Sequence, residues 1–346
     1  MKFGQVARRL SAAALMCGVA ALSAQAREVT FRFHSFVHAT SYQQVKFFEP
    51  WCKRIEEQSG GRMGCQIFPS MQLGGAPSDL FNQARDGIVD IAYGNPGYSP
   101  GSYLSAEVFE LPFMMRDLHD AARGMHDYFT ANPGPELAGL HLIAVAPADF
   151  PVIQTASKPI RKMEDLQGVK LRSAGRYGAK VLEALGALPV QMAAGEITDS
   201  LSRGVIDGAY LPWSAVSLLN LGSLMHHYTD FAEGQDRMYT SLQLVMMGQG
   251  TYDRLPDDLK KIIDENSTPE TSAEFADAFA STANTELEAL RKASADIYLL
   301  PEDEYERWRA AVAHITEDWI KDANAKGMDG QKMLDMARAA IAARQQ

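Results

Sequence analysis

The 346-residue sequence lacks the signatures of a catalyst. It has no G-x-G-x-x-G run, no Walker loop, no G-x-S-x-G elbow and no H-E-x-x-H pair, which removes the common nucleotide-binding, hydrolase and zinc-peptidase readings. Its eight histidines are scattered: His226 and His227 are adjacent, and His119 and His126 stand seven apart without an acidic third ligand at useful spacing. Neither a metal site nor a cofactor is expected. No Lys/Arg cluster, no low-complexity tether and, beyond residue 26, no apolar run of membrane-spanning length is present. Nucleic acid, an anionic membrane surface and direct membrane insertion are therefore poor expectations. Cysteine is scarce, with three residues and no C-x-x-C motif.

What is present begins with an address. Lys2, Arg8 and Arg9 precede an apolar stretch from Leu10 to Leu22, and Ala24-Gln25-Ala26 fits an A-x-A cleavage site. This predicts a signal peptide over 1–26, cleaved after Ala26, and a periplasmic destination. Cys17 raises a lipoprotein alternative, but Met16 precedes it and the A-x-A site comes later. Cleavage removes three basic residues and no acidic one, moving the formal charge from −10 to −13. Cys52 and Cys65 survive cleavage, and export permits them to pair. Two buried free thiols are the alternative. The composition, 46% hydrophobic and 22% charged, suits a globular chain with room for two cores.

One segment occurs twice. Residues 85–93 read RDGIVDIAY and residues 202–210 read SRGVIDGAY, with Pro96 and Pro212 close behind. In each copy glycine can close a helix in the left-handed conformation, and the apolar run after it reads as a short buried strand. Around these units strands and helices alternate. Val29–Phe36, Cys65–Phe68 and Asp90–Tyr93 are separated by helices over Ser41–Gln58 and Ser78–Arg85; Val169–Arg172, Leu188–Met192 and Gly208–Leu211 follow the same plan. The pattern predicts two mostly parallel α/β lobes. Met238–Met247 reads as a strand returning to the first lobe. Helices after Pro256, Pro269, Pro301 and Asp329 read as a brace over both lobes. The lobes are expected at 27–149 with 239–280, and at 150–238 with 281–346, the latter including the bracing C-terminal helices.

Strand ends in open α/β sheets face the ligand crevice. Arg172 ends its apolar strand, and a guanidinium matches a carboxylate with two hydrogen bonds. A solvated strand-end arginine is the alternative. Tyr93, Asn95 and Tyr98 follow the first repeated unit; Tyr210 and Trp213 follow the second. Trp213, beside Pro212, is the expected ring to stack on a ligand, with a core tryptophan as the alternative. Gly74-Gly75 lacks a Lys-Ser/Thr tail and reads as a turn before a helix cap at Ser78 or Asp79.

The ordered set FPSMQLGG (68–75), RDGIVD (85–90), LPF (111–113), LQGVKLR (166–172) and GVIDG (204–208) resembles the periplasmic solute-binding proteins of TRAP (tripartite ATP-independent periplasmic) transporters, over essentially the whole mature chain. The resemblance implies a two-lobed α/β periplasmic-binding-protein fold. It also implies a long helix spanning both lobes, a cleft that closes on a small organic acid, a monomer, and delivery to a membrane permease. Its carboxylate-binding arginine falls on Arg172 by the K-L-R context. The sequence departs from the family's sialic-acid binders at Val152, where they carry a second arginine, at Leu211, where they carry asparagine, and at Asn95 and Tyr98. The expected pocket therefore has one arginine and an apolar remainder: Phe36, Tyr98, Phe150, Tyr210, Trp213 and Tyr239. Asn95 and His38 are expected to hydrogen-bond a neighbouring oxygen. These features favour an aromatic or otherwise apolar 2-oxo or 2-hydroxy monocarboxylate. A C4-dicarboxylate or sugar-acid binder, an ATP-driven importer's binding protein, a sensory binding protein and a periplasmic enzyme are the alternatives.

Overall fold

Apolar runs alternating with amphipathic stretches build two sheets, one per lobe, in a computed structural model that describes residues 27–232 and 234–345. The signal-peptide expectation, with Cys17, lies outside the described residues. In chain order, β1 (Val29–Ser35), α1 (Glu49–Gln58), β2 (Met63–Phe68), α2 (Leu80–Arg85), β3 (Ile91–Gly94), α3 (Leu118–Ala131) and β4 (Leu140–Pro147) build the first lobe. The chain crosses over to β5 (Pro151–Thr155), β6 (Lys170–Ser173), α4 (Arg176–Ala184), β7 (Leu188–Gln191), α5 (Ile197–Ser202), β8 (Gly208–Pro212), α6 (Ala215–Leu218) and β9 (His227–Asp230). Next, β10 (Leu242–Gly248) returns to the first sheet, followed by α7 (Gln249–Asp253), α8 (Asp257–Glu265) and α9 (Pro269–Lys292). Finally β11 (Asp296–Leu299) joins the second sheet, and α10 (Glu302–Val312), α11 (His314–Ala325) and α12 (Gly330–Ala342) follow.

The strand orders are β2-β1-β3-β10-β4 and β11-β9-β5-β8-β6-β7. In each lobe the β-α-β portion is parallel: β1 with β2 and β3, β6 with β7 and β8. The sheets as wholes are mixed, which corrects the mostly parallel expectation. A strand arriving from the other lobe enters at the cleft end of the sheet and runs away from the cleft. Hence β10 is antiparallel to β3 and β4, and β5 is antiparallel to β8 and β9.

The repeated segment folds the same way twice. Gly87 (φ +73°) and Gly204 (φ +69°) end α2 and α5 in the left-handed region. Asp90 Oδ2 accepts the Arg32 backbone N–H at 2.8 Å, and Asp207 Oδ2 accepts that of Lys170 at 2.8 Å. In return the basic side chains on those strands reach back, Arg32 to the Gly87 carbonyl (3.0 Å) and Lys170 to the Gly204 carbonyl (2.8 Å). The branched pair between glycine and aspartate is split. Ile88 and Val205 are about half exposed (54% and 48%), Val89 and Ile206 are buried, and the strands begin only after the aspartate.

Thr268 caps α9 by accepting the Thr271 N–H, with Pro269 in its first turn. The N-terminal half of α9 places Phe275 and Phe279 in the first lobe's core, while Leu287 and Leu290 pack on the second. This helix spans both lobes. Cys52 on α1 and Cys65 on β2 are disulfide-bonded, with Cα atoms 5.7 Å apart; a bridge over so short a loop stabilises by about 3 kcal/mol in the chain-entropy model. The C-terminal helices reach both lobes: α10 and α11 pack on α4, and α12 packs on α3, where a Cβ at Gly124 would lie 2.7 Å from the Ala340 carbonyl oxygen. The edge strand β11 stands where the sequence read as mainly helical.

Candidate ligand-binding site

The strand ends that meet between the lobes enclose a cavity of about 260 Å³. The first lobe contributes the residues after β1 (Phe36, Val37, His38, Tyr42, Gln43), Ser70 after β2, and Asn95 and Tyr98 after β3. The second contributes Arg172 from β6 and Ala174 just after it, Leu211 and Pro212 from β8, Ala194-Gly195, and Ala215, Leu218 and Leu219. Ser241 comes from the returning crossover.

Arg172 is the one lysine or arginine among these lining residues. It is 2% exposed; its Nε donates to the Met192 carbonyl (3.1 Å), and no carboxylate among the described residues pairs with it. Arg176, four residues on, is different: it is held by Glu107 (2.7 Å) and Asp322 (3.0 Å). A buried guanidinium without a counter-ion is costly, so the arrangement can take up an anion at Arg172. Asn95 accepts the Gly97 N–H through Oδ1 at 2.7 Å, which leaves its Nδ2 donors for a bound group. The Phe36 and Tyr98 rings stand edge to face at 5.3 Å, and aliphatic Leu211, Leu218 and Leu219 complete an apolar wall.

The lobes touch around this cavity. A Cβ on Gly97 would come within 3.2 Å of the Gly175 Cα, so glycine at both positions permits the backbones to meet. The Tyr98 hydroxyl accepts the Ala194 N–H at 3.3 Å. Ser214 donates from its hydroxyl and its backbone N–H to Asp149, in the crossover between β4 and β5. Tyr42 therefore donates to the Ser214 oxygen, at 2.8 Å. Burial raises the Asp149 carboxyl to about 7 against these hydrogen bonds. Beside Gly175, burial raises Glu110 to about 8, although its Oε1 accepts the Leu242 N–H.

Phe36, Asn95, Tyr98 and Arg172 are brought together as the sequence suggested. Five other expectations are corrected. Trp213 lies beyond the end of β8, where the chain turns into the second core; its indole donates to Asp230 (3.3 Å) and its ring packs 5.3 Å from Tyr228. Tyr210 points to the face of β8 opposite Leu211, as strand alternation requires, and meets Tyr239 at 5.8 Å. Tyr239 packs over Gly178 behind Arg172 instead of lining the cavity. Phe150 sits in the crossover, where the Arg237 guanidinium lies 5.4 Å from its ring. His38 lines the rim, but Leu218 O (3.2 Å) and the Thr40 hydroxyl (2.9 Å) engage both its ring nitrogens. It joins the lobes and has no free nitrogen for a ligand oxygen.

The family model for bacterial extracellular solute-binding protein, family 7, matches residues 34–322. The chain belongs to this family. It is a TRAP solute-binding protein, and its solved relatives share the two-lobed fold. A TRAP binding protein of Rhodoferax ferrireducens, solved with copurified benzoate, is 35% identical, with 92% of this chain and 98% of that one covered and a TM-score of 0.88. A marine metagenome TRAP protein specific for aromatic acids, solved with 3-hydroxybenzoate, is 32% identical over 92% and 99%, TM-score 0.88. A Bordetella bronchiseptica TRAP protein with bound (R)- and (S)-mandelate is 25% identical over 90% and 98%, TM-score 0.83. Two curated relatives at 27% and 28% identity are matched over only 64% and 52% of their own length.

Sequence reasoning missed Tyr42, Gln43, Ser70 and Ser241 of this binding protein. Tyr42 and Gln43 follow the end of β1, so the strand-end rule could have found them. Ser70 takes a left-handed backbone (φ +53°) without being glycine, and nothing in the sequence signals that.

Proposed function

We propose that this protein captures an aromatic monocarboxylate in the periplasm and delivers it to a TRAP permease. The carrying observation is the buried Arg172, without a carboxylate partner among the described residues, in a cavity where Phe36, Tyr98 and aliphatic side chains form an apolar wall beside a few uncharged polar groups. Arg172 holds the carboxylate with two hydrogen bonds, Asn95 Nδ2 donates a third, and the ring of the acid packs against Phe36 and Tyr98, at about 0.5–1.5 kcal/mol per ring pair beyond area burial. A dicarboxylate or uronate would set its remaining oxygens against Leu211, Leu218 and Leu219 at about 1–3 kcal/mol for each unpaired group. Solved relatives with benzoate, 3-hydroxybenzoate and mandelate support the same ligand class. The role is capture, with the signal peptide over 1–26 removed after Ala26 on export.

A thermal-shift panel tests this reading. Benzoate- and phenyl-type acids are expected to raise Tm, while succinate and glucuronate leave it unchanged; the reverse pattern refutes the assignment. Arg172→Ala is expected to weaken binding by about 30-fold or more in calorimetry, since it removes one partner of a buried charge pair. Wild-type affinity in that variant would remove Arg172 from the site.

A further inference from the structure

Gln43 is the buried polar group that carboxylate binding leaves unused. It lines the cavity and is 3% exposed, and its Oε1 has no hydrogen-bond partner among the described residues. Such unpaired buried acceptors are uncommon in folded proteins. The neighbours fix which way the amide faces. Tyr93 has a single hydroxyl proton and donates it to Gln243 Oε1 at 2.6 Å. With that proton spent, the Tyr93 oxygen can only accept from Gln43, and Gln43 opposes the rise that burial imposes on the Tyr93 hydroxyl. Turned over, Gln43 would set a carbonyl against an oxygen with no proton left to give. Gln243 is held in turn, its Nε2 donating to Ser241 Oγ at 3.1 Å, which leaves the Ser241 proton for the cavity.

The polar inventory is thus lopsided. Arg172, Asn95 Nδ2 and Ser241 Oγ donate, and an anion satisfies them; Gln43 Oε1 accepts, and an anion cannot satisfy it. We infer that Gln43 reads a hydroxyl group on the ligand, so that the preferred cargo is a hydroxylated aromatic monocarboxylate. This rests on the aromatic-acid reading above. A 2-oxo acid would bring a second acceptor against Oε1, and a bare ring would leave Oε1 facing C–H groups.

Calorimetry on the wild-type protein with benzoate, 3-hydroxybenzoate, 4-hydroxybenzoate, mandelate and phenylglyoxylate tests the inference. At least one hydroxylated acid is expected to bind about tenfold or more tightly than its unsubstituted or oxo counterpart. The acid that wins tells whether the hydroxyl sits on the ring or on the side chain. In Gln43→Met the affinity ratio is expected to fall toward one. Tyr93→Phe frees the amide to turn and is expected to shrink the ratio as well, which keeps the test available should the first variant fail to fold. Benzoate and phenylglyoxylate binding as tightly as every hydroxylated acid would overturn the role of Gln43 while leaving the aromatic-acid reading intact. A hydroxyl preference that survives in both variants would do the same. Binding of succinate or glucuronate with no aromatic acid bound would overturn both.

Discussion

Two arginines four positions apart, Arg172 and Arg176, have the same chemistry and opposite fates. Arg176 is neutralised by Glu107 and Asp322, whereas Arg172 meets no carboxylate among the described residues and donates from Nε to the Met192 carbonyl. Glu110 holds a proton to about pH 8 because burial, reinforced by Glu107, outweighs the Leu242 N–H and Arg176. An unfolded glutamate releases its proton near 4.3. The folded state therefore retains a proton that the unfolded chain has lost, and stability is expected to fall as pH rises from about 4.5 to 8, by at most about 1.4 kcal/mol per pH unit. Urea titrations across that range should show the slope in the wild type and a flatter profile in Glu110→Gln. An equal slope in both would show that Glu110 is not its source. Arg172 was legible in the sequence because a strand end and a K-L-R context mark it. Gln43 and Trp213 were not, since one is chosen by the hydrogen-bond accounting of Tyr93 and Gln243 and the other is withdrawn by a turn.

At the scale of elements, the repeated segment is a corner that joins a helix to a parallel strand. Its aspartate ties the incoming chain to the neighbouring strand, and the basic residue on that strand ties back to the glycine carbonyl. Because the two corners are built alike, their glycines should respond alike. Gly87→Ala and Gly204→Ala each force a Cβ into the left-handed region, with open space around it. Each is expected to cost about 1 kcal/mol or slightly more through backbone strain alone. Chemical denaturation of both variants measures it; a cost in one and none in the other would mean the corners are not equivalent. The β-α-β order was readable because hydrophobic periodicity and glycine caps are local signals. The antiparallel strands β5 and β10 were harder, for their direction depends on which lobe the chain has just left. β11 pairs at the edge with β9 over only four residues, too few for any periodicity to register.

The whole molecule is a pair of lobes closed on a small cavity, and the closure has its own chemistry. Tyr42 of the first lobe donates to Ser214 of the second, which donates to Asp149 in the crossover. His38 and Tyr98 make further bonds between lobes. Tyr42→Phe deletes the first link and is expected to weaken ligand binding about threefold to tenfold, the worth of one hydrogen bond of about 1 kcal/mol. Calorimetry measures the loss, and unchanged affinity would mean that the link adds nothing to closure. By itself the sequence determined the family, the two α/β lobes, the spanning helix and the arginine, because each is written in short-range pattern: periodicity, caps and a motif context. Only the tertiary structure decided which aromatic rings line the cavity and which polar atoms remain unpaired there. Those outcomes depend on contacts between residues as much as 150 positions apart, and on which donor is already taken when the lobes meet.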